Sequence, residues 1–203
     1  MPYDEQGYFH RIGWSETGNA SARRGKEFFD KYLKNKTIID IGCGFDPITE
    51  NSLQYDVQVN EYYDATYMKE IPNNFFDVVY ATHVLEHVSD IYIAFKNWWR
   101  ILKTGGTLIV CIPDRDAYEM KRELPSNWNK EHKCFFLSDS EELPFTINYE
   151  KFVKSALFEE KYEIEYIQLF DGDIYDELPI HHDENHPIPE YQIESVIRKN
   201  KVV

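Results

Sequence analysis

Hydrophobic residues occur along the chain in short unbroken runs that alternate with segments of helical spacing. The unbroken runs predict buried strands, because parallel strands covered on both faces read as continuous Ile, Val and Leu. Apolar residues three and four positions apart predict amphipathic helices. The predicted strands lie at 37–41, 75–81 and 107–112, and the predicted helices at 21–35, 89–102 and 149–158. The predicted N-caps of these helices are Ser21, Ser89 and Asn148. This alternation predicts an α/β fold with a single doubly wound, mostly parallel sheet.

Weaker patterns complete the predicted sheet. They are a short strand ending at 55–57, a loosely alternating strand at 57–63 followed by Asp64, a helix at 116–124, and late strands at 163–170 and 192–197. Ligands of such sheets bind beyond the carboxyl ends of the strands. The residues that follow strands, and would therefore share this rim, are Gly42, Gly44, Asp56, Asp64, His83 and Asp114.

The segment 38–44 is the strongest candidate for a ligand site. A β-branched run containing Asp40 leads directly into Gly42, Cys43 and Gly44. Glycines after a strand allow a tight turn and let a ligand approach the bare backbone. No third glycine follows at dinucleotide spacing and no Gly-Lys-Ser/Thr sequence is present, so a phosphate cradle is not predicted. An ordinary strand-to-loop turn is the alternative.

Two acids further along the rim suggest what the ligand carries. Asp56 occupies the position where an acid can accept both hydroxyls of a ribose. Asp64, which precedes Ala65, could accept a hydrogen bond from an exocyclic amine. Both could instead be solvated turn residues, since Asp is common in turns. Together with the glycine turn, they predict a nucleoside-shaped pocket suited to a ligand with adenosine and a positive charge.

Composition narrows the classes of partner. The chain has 203 residues, of which 42% are hydrophobic, and this suits one domain spanning 1–203. Its net charge of -14 disfavours nucleic acid as a partner. Three cysteines give neither a disulfide framework nor a zinc pattern. With no signal-like N-terminal region and no apolar run that could span a bilayer, we expect a cytoplasmic protein without membrane contact.

Five motifs in order resemble those of the class I S-adenosylmethionine-dependent methyltransferases, and most closely the small single-domain branch with a Leu-Glu-His signature. They are Ile-Asp-Ile-Gly-Cys-Gly at 39–44, Asp-Ala at 64–65, Phe-Asp-Val-Val-Tyr at 76–80, His-Val-Leu-Glu-His-Val at 83–88, and Leu-Lys-Thr-Gly-Gly-Thr-Leu-Ile at 102–109. The likeness covers 37–113, and the order and spacing of the motifs make it specific.

The resemblance implies a seven-stranded sheet with an antiparallel last strand, and S-adenosylmethionine as the cofactor. It places Gly42 and Gly44 at the methionine moiety, Asp56 at the ribose, Asp64 and Ala65 at the adenine, and Thr82 and His83 under the cofactor. The segment 44–64 is shorter than is usual in the family, so a full helix is missing there. Glu61 is a competing ribose acid if the register differs.

Methyl transfer requires an acceptor atom held in line with the methyl group and, for a hydroxyl acceptor, a base. The candidate bases are His83, His87, His132 and Asp114. His132 is favoured because it follows the third core strand, where acceptor-binding segments of the family usually lie. The alternative is a surface histidine in a charged loop. His87 is expected to orient local backbone.

Three segments are expected on the acceptor side. The aromatic segment 1–20 packs on the domain or closes over a ligand, while 114–148 and 171–191 are insertions. An aromatic, polar-edged wall suited to sugars or small ring-bearing metabolites is predicted from Trp128, His132, Phe135 and Phe136, with Tyr118 and Arg115 upstream. The runs 124–128 and 132–137 resemble those of methyltransferases of surface-glycan and small-molecule pathways.

The predicted function is therefore methyl transfer to an oxygen or nitrogen of a small molecule, with sugars and nucleotide sugars among the candidates. The alternatives are a protein or nucleic-acid methyltransferase and a non-catalytic cofactor-binding partner subunit. A nicotinamide oxidoreductase is poorly supported, because the third glycine is absent. The oligomeric state is left open.

The loop with His181, His182, Asp183, Glu184 and His186 contains residue types that bind metals. Its prolines and lack of rigid spacing favour a solvated acidic loop that borders the acceptor, so no metal is predicted.

Overall fold

The computed structural model describes residues 16, 17, 20, 24–171 and 191–200. Its helices are α1 (Gly25–Phe28), α2 (Ile91–Ile101) and α3 (Tyr149–Ala156), with π-helical turns at Phe29–Leu33 and Arg115–Glu119. Its strands are β1 (Ile38–Ile41), β2 (Leu53–Tyr55), β3 (Phe76–Thr82), β4 (Leu102–Pro113), β5 (Phe135–Leu137), β6 (Thr146–Asn148), β7 (Tyr162–Asp171) and β8 (Tyr191–Lys199). Within these ranges, no helix is both long enough and apolar enough to cross a bilayer.

Six strands form the main sheet in the order β2-β1-β3-β4-β8-β7. The strands β2, β1, β3 and β4 run parallel, and β8 runs antiparallel to both β4 and β7. This confirms the predicted α/β fold with a mostly parallel sheet and an antiparallel last strand. The central strands could be predicted from the sequence because β1 is buried throughout, as are six of the seven residues of β3, so both strands consist of continuous apolar runs.

The strand predicted at 57–63 was wrong, and the described residues form six strands of the main sheet where the resemblance implied seven. The segment runs through successive turns, each closed by a side-chain oxygen. Asp56 Oδ1 accepts from the amide of Gln58, and Asn60 Oδ1 accepts from the amide of Tyr62. Such local bonds compete with strand pairing and explain why the loose alternation did not produce a strand.

The helix α2 holds the segment that follows, 65–71, through side-chain hydrogen bonds to its carbonyls. Trp98 Nε1 donates to the carbonyl of Ala65 at 2.8 Å, and Arg100 donates to the carbonyls of Met68 and Ile71 at 2.7 Å each. The donors satisfy backbone groups that a strand would have paired. The helix begins after Asp90, whose carboxylate accepts from the amide of Ile93, rather than after the predicted cap Ser89.

Two further elements were misjudged from the sequence. The predicted helix 116–124 is a single π-helical turn that ends where Met120 adopts a left-handed φ of 49°. The strands β5 and β6 were not predicted, because three-residue strands carry little periodicity. The cap of α3 was predicted correctly, since Asn148 Oδ1 accepts from the amide of Lys151 at 2.8 Å.

Glu165 on β7 is held by three donors. Its carboxylate accepts from Lys31 Nζ at 2.8 Å, from the hydroxyl of Tyr32 at 2.7 Å and from Arg198 Nε at 3.0 Å. Burial alone would raise the pKa of Glu165, but these hydrogen bonds outweigh it and lower the pKa to about 2. Because the pKa in the folded chain lies below that of the unfolded chain, the carboxylate stabilises the fold above roughly pH 4.3 and loses this effect as the pH falls towards 2.

Replacing Glu165 with glutamine is therefore expected to lower the free energy of unfolding at pH 7 by about 2 kcal/mol. The deficit should shrink markedly at pH 3, where the wild-type carboxylate begins to be protonated. Urea denaturation at the two pH values measures both effects. Glu163→Gln, on the exposed side of the same strand, is the matched control. An equal loss of unfolding free energy for Glu165→Gln at both pH values would contradict the lowered pKa of Glu165.

Candidate functional site

The glycine turn after β1 has the backbone conformation that its sequence predicted. Gly42 and Gly44 adopt left-handed φ angles of 70° and 53°. A Cβ on Gly42 would collide with Cγ2 of Val84, whereas a Cβ on Gly44 would meet nothing closer than Gln58 Oε1 at 3.7 Å. Gly42 is thus required for packing against the loop after β3. Gly44 borders open space, where a ligand could approach the backbone.

Asp56 is the acid that contacts this turn. Its Oδ2 accepts from the amide of Gly44 at 2.9 Å, and its Oδ1 accepts from the amide of Gln58 at 2.7 Å. Each carboxylate oxygen has a second lone pair, so both bonds are compatible with an added hydroxyl donor. Glu61 is exposed in the turn-rich segment, and no such contact joins it to a glycine. The geometry therefore favours Asp56 over Glu61.

Asp40 and Cys43 are buried, and their contacts stabilise the turn. Asp40 is fully buried, and its Oδ2 accepts from the amide of Ile48 at 2.5 Å, which ties the loop to β1. Burial raises the pKa of the Cys43 thiol to about 12, with Asp40 and Asp56 contributing further. The thiol is therefore neutral and unsuited to act as a nucleophile.

Asp64 and Ala65 do not follow a strand as predicted. Asp64 is exposed, and its Oδ1 accepts from the amide of Thr66 at 2.7 Å. The carbonyl of Ala65 accepts from Trp98, as described above. Their contact with adenine stays a prediction, although the turn holds them in a fixed position.

Thr82 is the last residue of β3, and His83 directly follows it. Both lie at the part of the rim where the acceptor is expected. Thr82 is buried, and His83 adopts a left-handed φ of 53°, which is uncommon outside glycine and often marks a functional position. The ring of His83 packs at 5.0 Å from that of Tyr118. Its Nε2 has no hydrogen-bond partner among the described residues and lies 3.7 Å from Glu16 Oε2. Burial lowers the pKa of His83, and His132 and His87 lower it further, so the imidazole is neutral.

His132 is buried, and the alternative of an exposed loop histidine is excluded. Its Nδ1 donates to Glu119 Oε1 at 2.5 Å, and Ser126 donates to the other oxygen of that carboxylate. Because a carboxylate can only accept, Nδ1 is the ring nitrogen that carries a proton in this bond, and Nε2 is the ring nitrogen left for another partner. Nε2 lies 4.0 Å from Glu86 Oε1. Sequence reasoning missed Glu119, because nothing in its local spacing links it to His132.

Asp114 caps the π-helical turn that follows β4. Its Oδ1 accepts from the amides of Asp116 and Ala117 at 2.9 Å each. Burial raises its pKa. These contacts give Asp114 a structural role, and its predicted role as a base is not supported by any contact with His83 or His132.

The predicted aromatic wall was wrong for two of the residues assigned to it. Phe135 and Phe136 are fully buried in β5, where Phe136 packs on Tyr149 and Phe152 of α3. Trp128 is half-buried, and its Nε1 donates to the carbonyl of Tyr118 at 2.7 Å. Most of segment 1–20 and nearly all of 171–191, including His181 to His186, lie outside the described residues.

Comparison with known proteins identifies the domain. Residues 25–110 match a family model described as a methyltransferase domain. Two curated relatives are cycloartenol-C-24-methyltransferase of Arabidopsis thaliana, 26% identical over 144 residues, and phosphoethanolamine N-methyltransferase 1 of Triticum aestivum, 28% identical over 126 residues. The alignments cover 51% and 48% of this chain, but only 43% and 25% of the relatives, so the chain spans less than half the length of either.

Solved structures support the same fold. The crystal structure of an S-adenosylmethionine-dependent methyltransferase from Mesorhizobium loti superposes with a TM-score of 0.54 at 14% identity. The match covers 92% of this chain and 99% of the other. At this identity, the likeness establishes the fold.

Proposed function

We propose that this chain is a class I S-adenosylmethionine-dependent methyltransferase, and that it transfers a methyl group from that cofactor to an oxygen or nitrogen of a small acceptor, with sugars among the candidates. The observation that carries the proposal is the open glycine turn held by Asp56. It lies at the carboxyl end of β1, where sheets of this class bind their ligands.

The residues around the turn fit the cofactor. Gly44 presents a bare backbone to open space, and Asp56 lies on its amide with lone pairs to spare for ribose hydroxyls. Asp40 and Asp56 also place negative charge beside the turn, which favours a cationic ligand over a phosphate. The cofactor supplies an already activated methyl group when it is bound. The chain's own task is to orient the acceptor and, for a hydroxyl, to accept its proton.

His83 is the base that the geometry supports best. It directly follows β3, its imidazole is neutral, and its Nε2 has no hydrogen-bond partner in the described structure. A neutral imidazole within reach of a hydroxyl can accept the proton as the methyl group arrives. The role of His132 as base stays a prediction, for which its bond to Glu119 provides an orienting partner.

Two observations favour a small acceptor over a macromolecule. The imidazoles of His83 and His132 are 7% and 3% exposed, which leaves no open surface at either candidate base for a bulky partner. The acceptors after which both curated relatives are named, cycloartenol and phosphoethanolamine, are small molecules. The net charge of -14 additionally disfavours nucleic acid.

Calorimetry with S-adenosylhomocysteine tests the cofactor site. Gly44→Ala is expected to weaken binding at least tenfold, because a methyl group would enter the space left open at the turn. The variant should remain folded, since left-handed alanine costs only about 1–2 kcal/mol and no protein atom obstructs the added Cβ. Unchanged affinity in the folded variant would contradict the assignment of this turn as the cofactor site.

A radiolabelled-methyl assay across hydroxyl and amine acceptors, with nucleotide sugars included, tests the activity itself. Transfer to a small acceptor is expected. Retained S-adenosylhomocysteine binding without transfer to any acceptor class would favour the non-catalytic partner subunit instead.

A further inference from the structure

Glu86, His87 and His132 form a cluster of side chains of the types that bind metal ions. Glu86 and His87 follow β3, while His132 precedes β5, so the fold brings together residues more than forty positions apart. One ligand-type atom from each side chain lies within 4.8 Å of the others. His87 Nε2 and His132 Nε2 each lie 4.0 Å from Glu86 Oε1.

The Glu86 carboxyl group is the feature that demands an explanation. It is fully buried, and neither oxygen has a hydrogen-bond partner among the described residues. An unpaired buried carboxylate is costly, and such groups in proteins are generally hydrogen-bonded, paired with a charge or bound to a metal. The site therefore gains either from a proton or from a cation.

The surroundings of His132 favour a cation. Its Nδ1 donates to Glu119, which leaves the Nε2 lone pair on the side of Glu86. A histidine that binds a metal commonly donates its other ring N–H to a carboxylate, which fixes the tautomer and orients the ring. Ser126 in turn donates to Glu119, so this outer partner is itself held in place.

His87 completes the set and gives access from solvent. An imidazole nitrogen is among the commonest metal ligands in proteins, and Nε2 of His87 lies on the side of Glu86. Its side chain is 31% exposed, in contrast to 0% for Glu86 and 3% for His132. The ring packs edge-on against that of His132, with the centroids 4.6 Å apart. An ion could therefore enter along His87.

We propose that Glu86, His87 and His132 bind a divalent transition-metal ion, with Zn²⁺ as the best fit. Two histidines and one glutamate form the usual protein ligand set of an open zinc site. Metal–ligand bonds of about 2.0–2.1 Å place tetrahedral ligands about 3.3 Å apart. The observed separations of 4.0 Å require side-chain movements of well under 1 Å each.

This inference is independent of the proposed methyl transfer. It does change the expectation for His132, because the lone pair that would bind the metal is the one that would accept a proton. In the metal-bound chain His132 is a ligand, and His83 is the histidine that remains available to an acceptor. The competing explanation is a proton on Glu86, with no affinity for metal.

Zinc binding to the full, tag-free chain tests the proposal. After treatment with EDTA and buffer exchange, calorimetric titration with Zn²⁺ should give one site per chain, and elemental analysis should confirm one bound ion. His87→Asn should weaken binding at least tenfold and remain folded, because His87 is the most exposed of the three residues. Glu86→Gln, which keeps the shape of the side chain, should weaken binding likewise. Mg²⁺ should not compete, since histidine ligands select borderline ions.

The other histidine-rich segment supplies the control. The triple variant His181→Ala/His182→Ala/His186→Ala should retain the zinc site. Loss of zinc in this variant with retention in His87→Asn, or the absence of stoichiometric zinc binding in the wild-type chain, would overturn the proposal. S-adenosylhomocysteine calorimetry on the same preparation separates the outcomes, because failure of the zinc site leaves cofactor binding intact.

Discussion

Replacing Gly42 with alanine is expected to lower the free energy of unfolding by about 2–5 kcal/mol and to abolish measurable S-adenosylhomocysteine binding. The φ of 70° costs an alanine about 1–2 kcal/mol. The added Cβ would collide with Cγ2 of Val84 and approach Cβ of Val84 to 3.3 Å, and such overpacking costs a further 1–3 kcal/mol or so. The loop after β3 would have to move away from the turn. Urea denaturation and calorimetry measure the two effects.

The double variant Gly42→Ala/Val84→Ala separates packing from ligand contact. Val84→Ala removes the colliding methyl group, so the double variant should be more stable than the sum of the two single changes predicts, with a coupling energy of roughly 1 kcal/mol or more. Strict additivity would show that the collision is relieved in another way. Gly44→Ala has no collision partner and should lose affinity with little loss of stability. Both variants should therefore lose cofactor affinity, but only Gly42→Ala should also lose substantial stability.

Replacing His83 with asparagine is expected to lower the kcat for a hydroxyl acceptor about 100-fold, with the affinity for S-adenosylhomocysteine changed by less than about threefold. The variant removes the neutral Nε2 that has no partner in the described structure. Asparagine tolerates a left-handed φ better than most residues, so the backbone of the turn should persist. Steady-state kinetics with a saturating cofactor, together with calorimetry, provide the measurement.

His132→Gln is the comparison that assigns the base. If His83 accepts the proton, His83→Asn should be the more severe change in kcat and should leave zinc binding intact. A severe loss of kcat in His132→Gln alone, with near-normal turnover in His83→Asn, would return the role of base to His132. Near-normal turnover in both variants would indicate methyl transfer by proximity without a base.

The amino-acid sequence by itself determined the parts of the fold in which one local signal dominates. The apolar runs of β1, β3 and β4 predicted buried strands, because both faces of each strand are covered. The glycines of the turn predicted positive φ, and both adopt it. Asn148 predicted the start of α3, because its side chain bonds the backbone three residues later.

Only the tertiary structure decided the roles of individual side chains. Phe135 and Phe136 are aromatic, as expected of residues that line an acceptor site, but packing against α3 buries them in the core. The pairing of His132 with Glu119, and the approach of both histidines to Glu86, depend on how separate loops meet at one edge of the sheet. Spacing along a chain records which residues share a helix or strand face, whereas contacts between loops depend on the path of the folded backbone.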